Sequence, residues 1–249
     1  MNSEPVFIDD IAQFLHQQFA VNRYPASEAG GVFRPTNKPV QRLGLALEPW
    51  PGLENWALMN NLDAIWLHRP WQLDPSVLPA LGILTNHLPF DETLTMGYNP
   101  SLAQALGATS PLVPLGFKQA TTDTGNALPQ RAVGMLFEAD THEFDAWLKE
   151  ISQQFRGYDR AEAGHQTMIS RVAVVGAMTD KLIQEAADQG VQLYVTGQYR
   201  KPAQDAVNQT GMAVVAVGHR RSEEWGMQAL AALLRTHWPT LEVEIRALG

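Results

Sequence analysis

Two side chains that can hold a metal ion or move a proton stand four residues apart near the carboxyl end of the chain. His219 and Glu223 follow an apolar run, residues 212–217, that is typical of a strand buried on both faces of a parallel sheet. Open α/β sheets bind their ligands at the carboxyl ends of the strands, and this pair stands at such a position. The spacing alone still favours a polar turn before a capped helix, because many turns contain a histidine and a glutamate.

The same residue types recur after two earlier apolar runs. His68 ends the second predicted strand, and His87 and Asp91 follow the third. Side chains at the carboxyl ends of different strands converge on one crevice in α/β folds. Imidazoles and carboxylates gathered there would suit Zn, Fe or Mn, which accept nitrogen and oxygen ligands. Taken singly, each residue has a structural explanation: His68 as a core histidine with satisfied hydrogen bonds, and Asp91 as the cap of a turn.

Hydrophobic periodicity and turn residues predict the elements that position these side chains. The predicted strands are 42–48, 64–67, 81–84, 113–118, 131–137, 172–175, 191–195, 212–217 and an edge strand at 241–246. The predicted helices are 7–19, 53–61, 99–106, 144–155 with Thr141 as its cap, 180–189, 202–209, and one after Ser222 that runs to about 237 with Ser222 as its N-cap. Residues 20–41 are predicted to be irregular. Strands that alternate with helices predict an α/β fold.

The composition of the chain excludes some classes of site and makes others less favoured. The chain has 249 residues and a net charge of −8, which does not favour a nucleic-acid-binding surface. There is no cysteine, so any metal site must be built from nitrogen and oxygen ligands. No apolar run is long enough to span a bilayer, and the first residues lack the pattern of a signal peptide. The expected location is therefore the cytoplasm, with no membrane partner.

Four short segments, in this order along the chain, resemble motifs of the Nif-three-like family, whose members are often described as type-two GTP cyclohydrolase-like metal proteins. The segments are Ile65-Trp66-Leu67-His68-Arg69-Pro70, His87-Leu88-Pro89-Phe90-Asp91, Thr196-Gly197-Gln198 and Gly218-His219-Arg220-Arg221-Ser222-Glu223. The resemblance is strongest over residues 172–234 and weakest before residue 42. The last motif, together with the βαβ pattern before it, is the most specific part.

The resemblance implies a fold of two interlocked α/β lobes, at about residues 1–120 and 130–249, with the polar stretch 121–129 as the boundary. It also implies hydrolysis of a small molecule at a divalent metal held by His68, Asp91, His219 and Glu223. In such a reaction His87 is the candidate acid or base, since an imidazole titrates near neutral pH. Members of the resembled family form toroidal hexamers, so a homo-oligomer is expected.

Arg69 departs from the family pattern, because the family has a second histidine ligand at that position. An arginine stays protonated and cannot coordinate a cation. We therefore expect one divalent ion or fewer per chain rather than two. In an alternative interpretation Arg69, with Arg220 and Arg221, contacts a phosphate or carboxylate where a second metal would lie. Gln198 also replaces an acidic residue of the family, at a position not expected to bind metal.

Two other interpretations of the function follow from the same residues. One is a non-catalytic binding or scaffold protein that keeps the fold and has a degraded metal site. The other is a nucleotide-binding regulator that uses the turn at residues 176–180 as a phosphate cradle. That turn lacks the glycine-rich spacing of the strong phosphate-binding motifs.

Overall fold

The computed structural model describes residues 4–246. In chain order its helices are α1 Ile8–Gln18, α2 Ala26–Ala29, α3 Leu53–Met59, α4 Leu88–Leu94, α5 Pro100–Ala105, α6 Phe144–Phe155, α7 Asp180–Asp188, α8 Gln204–Thr210 and α9 His219–His237. The strands are β1 Gly31–Arg34, β2 Arg42–Ala46, β3 Ala64–Leu67, β4 Gly82–Thr85, β5 Val113–Lys118, β6 Arg131–Glu143, β7 Arg160–Glu162, β8 Met168–Val175, β9 Leu193–Thr196, β10 Ala213–Ala216 and β11 Glu242–Ile245.

The described residues form two compact units, each assembled from separate stretches of chain. The first unit comprises 4–90, 120–129 and 227–246, and the second comprises 91–119 and 130–226. These units do not coincide with the predicted lobes of 1–120 and 130–249. The outer ends of those lobes, residues 1–3 and 247–249, lie outside the described residues. The units differ from the predicted lobes because two helices, α4 and α9, each begin in one unit and end in the other, so the chain changes unit inside a helix.

The first unit is built on a five-stranded sheet with the order β1-β4-β3-β2-β11. Strands β4, β3, β2 and β11 run parallel, and β1 pairs antiparallel with β4 at the edge. β11 is the opposite edge strand, as the sequence predicts. The residues of β3 are buried on both faces, in agreement with their continuous apolar sequence. His68 and Arg69 follow β3 directly, so the sheet places both at its carboxyl end.

The second unit is built on a six-stranded mixed sheet with the order β5-β6-β8-β9-β10-β7. Its central strands β8, β9 and β10 are parallel. Along β8 the side chains alternate between two hydrophobic clusters: Val172 and Val174 pack in one, and Ala173 and Val175 in the other. Both faces of the sheet are thus covered, which is the burial that the apolar runs predict. The predicted α/β class is confirmed.

The structure differs from the sequence predictions where pairing over a long distance decides the outcome. The segment 20–41, predicted to be irregular, contains α2 and β1. The polar segment 156–170, in which the sequence predicts no strand or helix, contains β7 and the first residues of β8. Thr141 does not cap α6, because β6 continues past it in pairing with β8, and the N-cap of α6 is Glu143. Within residues 4–246, no helix has the length and the apolar character that crossing a bilayer requires.

Candidate metal centre

The last motif places its polar residues on one helix. Gly218 has a φ of 101°, a value that favours glycine, and α9 begins at the next residue. Ser222 was predicted to be the N-cap, and this prediction is wrong: Ser222 lies inside the helix, where its hydroxyl donates a hydrogen bond to the carbonyl oxygen of His219 at 2.6 Å. His219 and Glu223 are therefore one helical turn apart on the same helix face.

Three predicted ligands come together in the second unit. The ligand atoms of Asp91, His219 and Glu223 all lie within 4.8 Å of one another. His219 Nε2 is 3.1 Å from Glu223 Oε1. Glu223 is only 1% exposed, whereas the His219 side chain is 57% exposed. The cluster thus has one buried carboxylate, one half-buried carboxylate and one imidazole at the surface.

The Thr196-Gly197-Gln198 turn packs against the start of α9. A Cβ atom added at Gly197 would lie 3.3 Å from the hydroxyl oxygen of Ser222 and 3.8 Å from the Cα of His219. The turn also accepts hydrogen bonds from the chain that leads into α9, since the backbone N–H groups of Val217 and Gly218 donate to Thr196 and Gly197. The motif therefore helps to position His219.

His68 is fully buried at the carboxyl end of β3, in the first unit. Its backbone N–H donates to the carbonyl of Ala46, which follows the register of the parallel β2–β3 pair. Its ring Nδ1 lies 3.3 Å from the carbonyl oxygen of Asn86. A carbonyl oxygen only accepts, so a neutral His68 carries its proton on Nδ1, and Nε2 carries the lone pair. In this tautomer, Nε2 is the ring atom that could coordinate a metal ion.

His87 lies beside His68, with the two ring centroids 4.9 Å apart. The Nδ1 atom of His87 is 3.5 Å from Oε2 of Glu28. Glu28 lies in α2, within the stretch that sequence analysis took as irregular, and its partnership with His87 was missed. No spacing rule links residues 28 and 87, because the contact depends on the antiparallel pairing of β1 with β4.

The arginines of the motifs each have an acidic partner. Both Nε and Nη2 of Arg69 donate to Oε1 of Glu48, at 3.2 Å and 2.5 Å. In the second unit, Arg220 pairs with Glu224 at 3.4 Å and Arg221 pairs with Asp159 at 2.5 Å. An anion bound by any of these guanidinium groups would have to compete with a carboxylate. The predicted anion contact of Arg69 stays a prediction.

The predicted site residues thus fall into two groups by unit. The first unit holds the His68–His87 pair, and the second holds the Asp91–His219–Glu223 cluster. Asp91 follows His87 by four residues and lies in the first turn of α4, the helix in which the chain passes from the first unit to the second. That His68 shares one cleft with the other three ligands stays a prediction.

The chain matches one family model and several curated relatives. The model of the Duf34/NIF3 family (NGG1p interacting factor 3) matches residues 79–248, which is more than half of the chain. Several curated relatives carry the name "GTP cyclohydrolase 1 type 2 homolog". The relative from Chlamydia trachomatis is 27% identical over 157 residues, and the one from Neisseria meningitidis is 30% identical over 146 residues.

Coverage of these relatives differs. The chain spans 57% of the length of the Chlamydia trachomatis protein and 53% of the Neisseria meningitidis protein, or little more than half of each. A homolog from Allochromatium vinosum is 23% identical, and the match covers 92% of both chains. Sequence similarity therefore extends over about nine tenths of both chains in some relatives and over little more than half of the relative's length in others.

Solved structures share the fold. A Staphylococcus aureus hypothetical protein superimposes with a TM-score of 0.75 at 15% identity, covering 98% of this chain and 97% of its own. The protein ybgI, of unknown function, gives a TM-score of 0.74 at 17% identity, covering 98% of this chain and 99% of its own. At such identities the likeness concerns the fold alone.

Proposed function

The chain belongs to the Duf34/NIF3 family, and from this premise we propose that it binds a divalent metal ion and uses it to hydrolyse a small molecule. The observation that carries the proposal is the cluster of Asp91, His219 and Glu223, with all three ligand atoms within 4.8 Å. Nitrogen and carboxylate oxygen are the donor set of Zn, Fe and Mn sites in proteins.

The distance between His219 and Glu223 fits two ligands of one ion. Two donors at about 2.1 Å from a metal lie roughly 3.0 to 3.4 Å apart at octahedral or tetrahedral angles. The 3.1 Å between His219 Nε2 and Glu223 Oε1 is in this range. Both atoms can therefore face the same ion with little rearrangement.

Electrostatics also favour a cation at the cluster. Two ionised carboxylates within 4.8 Å repel by about 3 kcal/mol or more at an effective dielectric constant near 20. Glu223 is 1% exposed, so water screens its charge poorly. A divalent ion between Asp91 and Glu223 would attract both carboxylates and so offset their mutual repulsion.

His68 is the proposed fourth ligand, on the grounds of its place in the family motif and its tautomer. When bound, the metal would polarise the substrate and lower the pKa of a water molecule. His87 is the proposed acid or base. With Glu28 facing its Nδ1 atom, His87 is oriented to give or accept a proton at Nε2. The names of the relatives make GTP the first substrate to assay.

The scaffold interpretation is the less favoured one, because the donor cluster of the second unit is intact. Every one of the four positions matched to family ligands keeps a residue that can coordinate a metal. Among the positions where the family has metal ligands, only Arg69 departs, and its charge is balanced by Glu48. A metal site that no longer functions would be expected to lose ligands at several positions and not at one.

Metal content tests the proposal. Chain purified without a histidine tag and dialysed against Zn²⁺ or Mn²⁺ is expected to retain about one equivalent, measured by elemental analysis, and to lose it to a chelator. Retention below one tenth of an equivalent with every divalent ion tried, together with no hydrolysis of GTP, would contradict the proposed function.

Arg69 is expected to limit the site to one ion. A binuclear centre holds its ions about 3.5–4 Å apart and needs further ligands, and arginine offers no lone pair. Arg69→His should therefore raise the metal content towards two equivalents, whereas Arg69→Ala should leave it near one. Two tightly bound ions in the unmodified chain would show that another residue supplies the missing ligand.

A homo-oligomer, with the site facing an interior space, stays a proposal from the family resemblance. Light scattering at micromolar concentration is expected to give a mass several times that of one chain. A monomer under these conditions would contradict this proposal without bearing on metal binding.

A further inference from the structure

Trp71 differs from the other tryptophans in its exposure. The chain has seven tryptophans, and the other six are buried or half-buried, whereas Trp71 is 64% exposed. It follows His68, Arg69 and Pro70 at the carboxyl end of β3, in the first unit. A large apolar ring is thus presented to solvent at the edge of the sheet where α/β folds bind their ligands.

The ring is held in place by its own turn and by His87. Trp71 lies in a short 3-10 turn that begins at the buried Pro70 and is closed by a hydrogen bond from Leu73 N–H to the carbonyl of Pro70. The indole contacts the His87 ring at 5.0 Å between centroids, with the planes 79° apart. In such an edge-to-face pair the two rings do not stack flat on each other, and Trp71 stays 64% exposed.

The surroundings of Trp71 are polar. Arg69, two positions before Trp71, pairs with Glu48. Gln72 and Asp74, which follow Trp71, are exposed, and the neighbouring His87 faces Glu28. An exposed aromatic side chain beside polar groups is an arrangement on which a nucleic-acid base can stack.

We propose that Trp71 is the stacking platform for a planar heteroaromatic ring of the ligand, which it holds beside His87. The chemical class of the ligand is then a nucleobase or a similar fused ring. The assignment of that ligand as a substrate rests on the proposed function. Stacking on one aromatic side chain changes the affinity for a base by about 5- to 150-fold on alanine substitution.

Binding of nucleosides tests the platform. Isothermal titration of zinc-loaded protein would compare guanosine, uridine and ribose, the last of which has no ring to stack. We expect guanosine to bind more tightly than uridine, because its larger ring overlaps the indole over more area. Trp71→Ala should weaken guanosine binding at least fivefold, and Trp71→Phe should restore most of it.

Phe33→Ala is the matched control, since Phe33 is an aromatic residue of the same unit that is 49% exposed. It should leave the affinity for guanosine unchanged. Unchanged guanosine binding in Trp71→Ala, or no nucleoside binding by the unmodified chain, would overturn the inference. If Trp71→Ala keeps its guanosine affinity but forms a smaller assembly in light scattering, the inference is overturned. In that case Trp71 contacts a second copy of the chain and not a ligand. Metal content, measured on the same samples, reports separately on the proposed function.

Discussion

Glu223→Gln is expected to reduce the affinity for Zn²⁺ by at least 100-fold. The substitution keeps the shape of the side chain and removes its charge. Loss of a residue that merely supports a metal ligand already costs 10- to 100-fold in affinity, and Glu223 is proposed as a ligand itself. Because it is 1% exposed, bulk water cannot readily compensate for the lost donor. Competition titration with a zinc-sensitive dye measures the change.

Glu224→Gln is the matched control, because it makes the same chemical change at the next position. Glu224 faces Arg220 rather than the cluster, and its side chain is 29% exposed. We expect its Zn²⁺ affinity to stay within about twofold of the unmodified chain, since surface ion pairs contribute little. An equal loss in both variants, or no loss in Glu223→Gln, would show that the cluster does not hold the metal.

Folding must be separated from metal binding in this comparison. In metal-free protein, Glu223→Gln removes the repulsion between two carboxylates within 4.8 Å, so it should not lower the melting temperature appreciably. A loss of Zn²⁺ binding together with an unchanged circular dichroism spectrum would therefore reflect the donor and not the fold.

The buried strands β3 and β10 could be predicted to within one residue at each end, and the physical reason is local. β3 begins and ends where the apolar and turn residues place it, and β10 lies inside its predicted range. A strand covered on both faces must be apolar throughout, so its own sequence carries the signal. The edge strands β1 and β7 carry no such signal, because each is fixed by antiparallel pairing with a partner distant in sequence.

The start of α9 shows how a sound local rule gives the wrong boundary. Ser222 followed by two glutamates has the composition of an N-cap and a first helical turn. Gly218, with its φ of 101°, turns the chain four residues earlier than Ser222, so the helix begins at His219. The difference matters for the site, because it places His219 on the helix and one turn from Glu223 rather than in a loop.

The ligand types of the site could be predicted from motifs, whereas their partners could not. His219, Glu223 and Asp91 belong to short segments with a recognisable order. Glu28 and Glu48, which face His87 and Arg69, lie in no motif. Their positions depend on which strands pair, and short motifs in a single sequence do not reveal that pairing.

Gly97→Ala is expected to lower the free energy of unfolding by about 3 kcal/mol, the upper part of the range for overpacking a buried site. A Cβ atom at this buried position would lie 1.9 Å from the carbonyl oxygen of Glu92. That oxygen belongs to the backbone of α4, so no side chain can rotate to relieve the overlap. The turn is further fixed by Asn99, whose side chain donates to the carbonyl of Thr95 and caps α5.

The same substitution should weaken metal binding, because α4 carries Asp91 one position before Glu92. Thr95 donates a hydrogen bond to the carbonyl of Asp91 at 2.6 Å, so a shift of this turn is transmitted to a proposed ligand. We expect urea unfolding of the metal-free variant to show the loss of stability, and the affinity for Zn²⁺ to fall at least tenfold.

Gly176→Ala provides the comparison for Gly97→Ala. A Cβ at Gly176 would lie 3.8 Å from the backbone nitrogen of Gly97, with its nearest neighbour, the carbonyl oxygen of Val133, at 3.5 Å, which is ordinary contact. Its stability should stay the same or rise by up to about 1 kcal/mol, since alanine restricts the unfolded chain. Equal stability of the two variants would show that the turn after α4 yields to a methyl group, and that Asp91 is not held in place by the close approach of Gly97 to Glu92.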